Sequence, residues 1–289
     1  MKKTKLLRRK IDLSSRIMSI PLIIWAIIFI LIPIAYLLFI SFMKKGALGG
    51  VEYAPTIVNY TDILEPVYFK IVKSSIVVAG LTTILTILLG YPLAYYISSR
   101  SKNISGILLF LVMIPFWANS LVIIYSFVIL FNNNGIINNL LMNWGIIKEP
   151  IQLIYNDFAV IVGMVYMLLP FGVMPMYSSI EKLDKGLIEA SKDLGASPVQ
   201  TFFKIILPLT KPGIFAAAIL VFIPSIGYYM ITDMLGGGIT MMIGNLIYNQ
   251  FTVARNWPFG AALSIILALA IIILMTIYSK FGDLDDLGV

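Results

Sequence analysis

Residues 189–208 read EASKDLGASPVQTFFKIILP, and this stretch says most about how the chain is built. Gly195 can adopt the left-handed backbone conformation that ends a helix. Ser197 and Pro198 are residue types that favour the cap and the first turn of a new helix. Leu207-Pro208 is expected to close that second helix. The stretch therefore predicts two short helices that meet at an angle.

The first of these helices is predicted to be amphipathic. Over residues 185–194 the apolar side chains fall largely on one helical face, and the charged ones fall on the other. The apolar face consists of Leu187, Ile188, Ala190 and Leu194.

Long apolar segments flank this loop on both sides. A helix needs about 20 apolar residues to cross the hydrocarbon core of a bilayer. In the fifth segment, Pro224, Gly227 and the polar pair Thr232-Asp233 interrupt the apolar run. The six segments that qualify as membrane-spanning helices cover about 17–42, 73–98, 106–131, 157–180, 212–234 and 259–280.

The composition supports a membrane protein and argues against an enzyme. Hydrophobic residues make up 60% of the chain and charged residues 12%, against about 25% charged in a typical soluble domain. The chain has no cysteine and no histidine, so disulfides, thiol catalysis, thiolate metal sites and imidazole bases are excluded. The sequence predicts a non-catalytic chain without a metal site.

The positive charge indicates orientation in a lipid bilayer and does not indicate binding to nucleic acid. The net charge is +7, and the basic residues lie before and between the apolar segments. Fifteen of the 21 Lys and Arg fall on one side: seven precede the first segment, five lie in the 181–211 loop, and three are Arg100, Lys102 and Lys280. Because basic residues accumulate on the cytoplasmic side, both termini and this loop are predicted to be cytoplasmic. The predicted divisions are a basic amino-terminal segment 1–16, a first span with outer segment 17–72, a core 73–280 and a tail 281–289.

Two segments on the other side have their own character. Residues 44–72 carry turn residues and are expected to form a small ordered cap. Residues 132–147 are predicted to contain a short amphipathic helix on the outer surface, with the asparagines at 132–134 as turn and cap residues.

The spacing within 189–208 resembles the cytoplasmic-loop signature of ABC importer permeases: E-A-A, three residues, G, nine residues, I-x-L-P. Ser191 stands where the signature has alanine, which is a small-for-small exchange. This resemblance implies an all-α polytopic membrane protein of MetI-like permease architecture, with about six transmembrane helices. The residues that match the signature, and that the resemblance assigns to coupling, are Glu189, Ala190, Ser191, Gly195, Ile205, Leu207 and Pro208.

The same resemblance implies that ATP is used elsewhere. In this family the loop is a coupling helix that sits in a groove of the ATP-hydrolysing subunit. The chain contains no G-x-x-x-x-G-K-[ST] phosphate loop. We therefore expect no cofactor on this chain, and ATP and Mg on a partner ATPase.

Further segments are similar to permeases of spermidine/putrescine importers, in particular to the B-type subunit of the two paired permeases. The resemblance implies a second homologous permease subunit, an ATP-binding cassette ATPase dimer and an extracytoplasmic polyamine-binding protein as partners. It also implies a place in the bacterial cytoplasmic membrane. The segments that carry it are Ile114–Trp117, Glu181–Lys185, Pro208–Ile214, Asp233–Gly237, Ile243–Asn245 and Asn256–Ala262.

Asp233, late in the fifth segment, is the first candidate for the substrate path. A charge at the bilayer centre costs about 2.5–3.5 kcal/mol on insertion scales, so an acid within a span needs a reason. Tyr228 and Tyr229 lie about one turn before it, and aromatic rings attract ammonium groups. The alternative is that Asp233 lies at the outer water interface and caps a helix.

Trp117 is the second candidate, together with the polar Asn119 and with Tyr125 further along the same segment. The alternative is that these aromatic side chains anchor the helix at the membrane interface. The glycines at 236–238 are interpreted as a hinge or tight turn.

Rival functions remain open from the sequence. The solute could be an oxyanion, an iron complex or a phosphonate. An ion-coupled secondary transporter would carry facing intramembrane acids and an inverted repeat, and the sequence displays neither. A membrane scaffold without transport activity would leave the loop signature without a purpose.

Overall fold

The computed structural model describes residues 20–281, with side chains to residue 278, and the chain is predominantly helical there. It forms two compact units: residues up to Leu64 together with Asn249–Ala268, and Glu65–Tyr248 together with the residues from Leu269 onward. The predicted segments 1–16 and 282–289 lie outside the described residues. The helices are α1 (Ile20–Ser41), α2 (Val58–Asp62), α3 (Pro66–Ser98), α4 (Lys102–Trp117), α5 (Ser120–Phe131), α6 (Ile136–Asn143), α7 (Asp157–Glu181), α8 (Lys185–Asp193), α9 (Pro198–Leu209), α10 (Lys211–Gly227), α11 (Tyr229–Gly236), α12 (Ile243–Thr252) and α13 (Trp257–Phe281).

The first unit contains the ordered part of the segment predicted over 44–72 as far as Leu64, whereas the residues from Pro66 belong to α3. Strands β1 (Met43–Lys45) and β2 (Val51–Pro55) pair antiparallel, and α2 follows them. The side-chain amide of Asn59 donates to the carbonyl oxygens of Ser41 and Met43, each at 2.8 Å. The Ser41 hydroxyl lies 2.7 Å from the hydroxyl of Tyr60. These contacts hold α2 against the end of α1, which confirms the ordered segment.

The core of the second unit is formed by α3, α7 and α10, which pack closely because small residues lie where the helices approach. A Cβ atom on Gly172 would lie 2.7 Å from Cγ2 of Thr86, and one on Gly90 would lie 2.9 Å from Cε of Met176. The close approach of α3 and α7 therefore depends on glycine.

Helix α3 begins at Pro66, seven residues before the predicted start, because Pro66 supplies a pre-set first turn.

The predicted single span over 106–131 is wrong. Helix α4 ends at Trp117, and α5 begins at Ser120. Ala118 and Asn119 have extended backbones, with ψ of 151° and 123°. The side-chain oxygen of Asn119 accepts a hydrogen bond from the backbone N–H of Leu121 at 2.9 Å. A polar cap therefore starts a new helix inside an apolar segment.

The predicted span over 212–234 is not one helix, and Gly227, one of the residues expected to interrupt its apolar run, marks the break. Helix α10 ends at Gly227, and α11 begins after Tyr228, whose φ and ψ are −79° and 79°. Pro224 stays inside α10, so the break lies beyond the proline. A Cβ atom on Gly244 would lie 2.5 Å from the carbonyl oxygen of Gly227. The backbone of the α12 start thus lies directly against the break.

Among the described residues, five helices are long and apolar enough to cross a membrane. The pair α9 and α10, bent by 62° at Thr210, counts as a sixth span if it is taken as one. The prediction of an all-α protein with about six transmembrane helices is confirmed, with β1 and β2 as a small addition. The five spans are Ile20–Ser41, Pro66–Ser98, Ser120–Asn143 (α5 and α6 taken together), Asp157–Glu181 and Trp257–Tyr278.

Candidate coupling loop and substrate path

The loop between α7 and α10 consists of two short helices, as predicted. The side chain of Asp184 accepts from the backbone N–H of Gly186 at 2.8 Å and caps α8. Gly195 follows α8 with φ of +80°, the left-handed region. Ser197 caps α9 and exchanges hydrogen bonds with Gln200, at 3.3 Å and 2.9 Å. Caps that are visible in the sequence therefore set the start and the end of these helices.

The second loop helix does not end at Leu207-Pro208. Helix α9 continues through a π-helical turn, Phe202–Ile206, and ends at Leu209. Pro208 lies in the short α-helical stretch Leu207–Leu209 that directly follows the π-helical turn. The bend lies at Thr210.

The apolar face of α8 is largely open to solvent. Leu194 is 88% exposed, and Leu187 is 47% exposed. Val199 and Phe203 of α9 are also exposed. The two helices of the loop thus both present large apolar side chains at the surface of this chain. Of the predicted coupling residues, Glu189, Ala190 and Gly195 are exposed, whereas Ile205, Leu207 and Pro208 are half-buried.

Ser191 differs from its neighbours because it is buried, at 4% exposed. Its hydroxyl donates to the carbonyl oxygen of Ile188 at 2.8 Å and lies 2.9 Å from the hydroxyl oxygen of Thr201. The residue that departs from the signature therefore ties α8 to α9. Sequence reasoning missed Thr201, since no local pattern places it against Ser191.

The helix breaks after α4 and after α10 meet at one open pocket of about 410 Å³. The pocket lies in the second unit and contains the first residue of α5 and the residues around the α10–α11 break. It brings the predicted Tyr228 and Tyr229 together with the start of α5. The lining residues are Ser120, Ile223, Pro224, Gly227, Tyr228, Tyr229 and Met230.

Tyr229 stacks on Tyr248 of α12, with ring centroids 4.3 Å apart and planes at 12°. The Asn245 side-chain amide donates to the carbonyl oxygen of Tyr229 at 3.1 Å, and the hydroxyl of Thr232 donates to the Asn245 side-chain oxygen. These contacts fix α11 against α12. Sequence reasoning missed Tyr248, which lies 19 residues further along the chain.

Asp233 lies on α11, one turn beyond Tyr229, and its side chain is exposed. It is not among the residues that line the pocket. Helix α11 ends at the glycine run: Gly237 and Gly238 have φ of +56° and +80°. This confirms the tight turn that was predicted at 236–238.

The second set of candidate path residues is dispersed. Trp117 is 64% exposed and packs edge-to-face on Phe110, with centroids 5.2 Å apart. Asn119 is engaged as the cap of α5. Tyr125 is exposed on α5. The pocket lining contains Ser120 but none of these three residues.

Residues 20–281 contain no group of three or more acidic side chains arranged to hold a metal ion. The whole chain has no histidine or cysteine that could add to such a group.

The structure and the sequence both have clear relatives. A chain of a bacterial alginate ABC transporter, in a complex with an alginate pentasaccharide-bound periplasmic protein, has a TM-score of 0.77 at 18% identity, over 95% of each chain. That likeness shows the fold. The spermidine/putrescine transport system permease protein PotB of Haemophilus influenzae is 42% identical over 90% of this chain and 91% of its own length. The protein of the same name from Escherichia coli is 42% identical over 92% of this chain and 97% of its own length.

Residues 86–283 match the family described as the binding-protein-dependent transport system inner membrane component. The match covers more than half of the chain, and the relatives cover nine-tenths of it. The membrane-spanning helices and the two-helix loop are consistent with these matches. The chain belongs to the inner membrane permease family of binding-protein-dependent transport systems.

Proposed function

We propose that this chain is the permease subunit of an ATP-driven importer of polyamines and forms half of the translocation path. The observation that supports polyamines as the substrate is the 42% identity, over nine-tenths of the chain, to permeases named for spermidine and putrescine transport. Aromatic rings at the pocket and an exposed carboxylate on α11 suit a chain of ammonium groups.

The two-helix loop is the proposed docking site for an ATPase on a separate chain. Its exposed apolar residues, Leu187, Leu194 and Val199, would be buried by such a partner. Exposed Glu189 would lie at the rim of that contact. ATP and Mg would be bound by that partner, which we propose to be a dimer, and its movement would displace α8 and α9.

The remaining partners follow from the same assignment. A second homologous permease would supply the other half of the path, and an extracytoplasmic polyamine-binding protein would deliver the solute. Both termini would lie in the cytoplasm, because the basic residues accumulate on the side of the 181–211 loop.

In the path, a polyamine would exchange water for Asp233 and for ring faces. Tyr229, stacked on Tyr248, and the half-buried Tyr228 would supply the rings at the pocket. The carboxylate would lower the electrostatic cost of the cation on its way through. Trp117, Asn119 and Tyr125 form a second candidate surface that would contact the solute on the α4–α5 side.

The test is to assemble the complete transporter in liposomes and to measure ATP hydrolysis and uptake with different solutes. Spermidine and putrescine, delivered by the binding protein, are expected to stimulate both activities. An oxyanion, an iron complex and a phosphonate serve as controls and should not stimulate. Stimulation by one of these controls, without a response to polyamines, would refute the proposed substrate and leave the permease assignment intact.

A further inference from the structure

The coupling loop is joined to α3 by a buried pair of hydroxyl groups. Tyr91 of α3 is 6% exposed, and Thr210, at the bend between α9 and α10, is fully buried. Their hydroxyl oxygens are 2.7 Å apart. Thr210 Oγ1 also lies 2.9 Å from the carbonyl oxygen of Ile206, which can only accept. The threonine hydrogen therefore goes to Ile206, and the Tyr91 O–H donates to Thr210.

Thr210 connects α9 and α10 through hydrogen bonds of its backbone. Its N–H donates to the carbonyl oxygen of Ile206 at 3.0 Å and closes α9. Its own carbonyl oxygen accepts from the N–H of Ile214 at 3.2 Å and opens α10. Tyr91 therefore holds the pivot of a 62° bend.

A second contact between α3 and α9 lies nearer the start of α9. The ring of Phe202 packs edge-to-face on Tyr91 and Tyr95 of α3, with centroid distances of 5.9 Å and 6.0 Å. Phe202 begins the π-helical turn of α9. Helix α3 thus contacts the α9 region at Phe202 and at Thr210. The residues between these two contacts are held against α3 at both ends.

Helix α8 is included in this unit through Ser191 and Thr201. Their hydroxyl oxygens are 2.9 Å apart, and both residues are buried. A displacement of the exposed α8 surface is therefore passed to α9, and from α9 to Tyr91.

Tyr91 lies at the point where α3 can bend. The next residue, Pro92, has no N–H, so the helical hydrogen bond to the carbonyl of Leu88 is missing. The preceding residue, Gly90, packs closely on Met176 of α7. A force at Tyr91 therefore enters α3 beside a site where helices commonly kink.

We infer that the Tyr91–Thr210 hydrogen bond is the joint through which movement of the coupling helices reaches α3. Tyr91 is a positioning residue for transport, and it acts through Thr210 without touching the solute. This inference rests on the proposed coupling of the loop to an ATPase.

The test is the number of solute molecules taken up per ATP hydrolysed by the complete transporter in liposomes. Tyr91→Phe keeps the ring and its contact with Phe202 but removes the donor. Thr210→Val keeps the shape but removes the acceptor. Each variant is expected to lower uptake per ATP at least threefold, while ATP hydrolysis continues. The double variant should be no worse than either single one, because both remove the same bond.

Two controls separate coupling from stability. Thr83→Val removes a buried hydroxyl that bonds only within α3, at 2.7 Å to the carbonyl oxygen of Ala79, and uptake per ATP should stay unchanged. Thr210→Ser keeps the acceptor and should retain the parental uptake per ATP hydrolysed. Retention of the ATPase subunit, measured by co-purification, should be normal in all of these variants.

An unchanged ratio in Tyr91→Phe, additive losses in the double variant or loss of the ATPase subunit would each overturn the inference. The proposed substrate fails in a different way. In that case the parental complex would import another solute, and the ratio would be measured with that solute.

Discussion

The two-helix loop between α7 and α10 and the pocket at the α10–α11 break both consist of interrupted helices, but the interruptions arise differently. In the loop, Asp184, Gly195 and Ser197 each fix the chain through their own side chain or backbone. In the pocket, the break at Tyr228 has no cap of this kind. It is held from α12, where Gly244 lies against the carbonyl of Gly227 and Asn245 bonds Tyr229. The loop is capped by nearby residues, whereas the break at Tyr228 is held by residues about 17 positions away in the chain.

This difference indicates how each region responds to substitution. Glu189, Gly195 and Val199 of the loop are exposed, so a change at such a position alters the surface of the loop with little effect on core packing. The pocket is lined by side chains that also pack into the core, such as Tyr228 and Met230. A conservative change is therefore needed to examine its chemistry without disturbing its packing.

The largest effect is expected from Gly195→Asp in the loop. A Cβ atom at Gly195 meets nothing within 4 Å, so the fold has room for a side chain, but the φ of +80° strains the backbone of any residue other than glycine. The new charge would stand where a partner must approach the backbone, and uptake should fall to background. Glu189→Lys, which reverses a charge on the same surface, should act alike. Uptake by the assembled transporter, at matched amounts of membrane-inserted protein, measures both.

Gly145→Asp is the matched control for this prediction. Gly145 also has a left-handed backbone, with φ of +70°, and has nothing within 4 Å of a Cβ atom, but it lies after α6. Uptake by the transporter with Gly145→Asp should stay near the parental value. Normal uptake with Gly195→Asp would remove the loop from the docking site, whereas equal losses at both glycines would point to backbone strain.

An intermediate effect is expected from Asp233→Asn on α11. The change keeps the shape and removes the charge. An ion pair at about 4 Å in water is worth about 1 kcal/mol, which corresponds to roughly fivefold in rate. Polyamine uptake should fall by about that factor, and docking of the binding protein should be retained.

Glu149→Gln removes an exposed carboxylate elsewhere in the chain and serves as the control. It should leave uptake within about twofold of the parent, since an isolated surface charge contributes little. If Asp233→Asn also transports like the parent, Asp233 is an interface residue. The path then has to be sought around Trp117 and in the second permease.

The smallest effect is expected from Tyr229→Phe. The ring and its stack on Tyr248 survive, and aromatic pairs owe about 0.5–1.5 kcal/mol to ring geometry. Uptake should stay within about twofold. Tyr229→Leu removes the ring and should cost more. Equal uptake by the two variants would exclude a role for the ring face in passing the cation.

Much of this architecture follows from the sequence alone. The apolar segments, the two-helix loop and the glycine turn at 236–238 were predictable, because burial in lipid, capping and left-handed glycine act over a few residues. The tertiary structure decided the rest. Asn119 and Gly227 mark the breaks within 106–131 and 212–234, but one such residue in an apolar run does not by itself show that a helix ends there. The contacts between Gly244 and Gly227, Tyr229 and Tyr248, and Tyr91 and Thr210 join residues far apart in the chain. No local pattern records such contacts, since they form only when separate helices pack together.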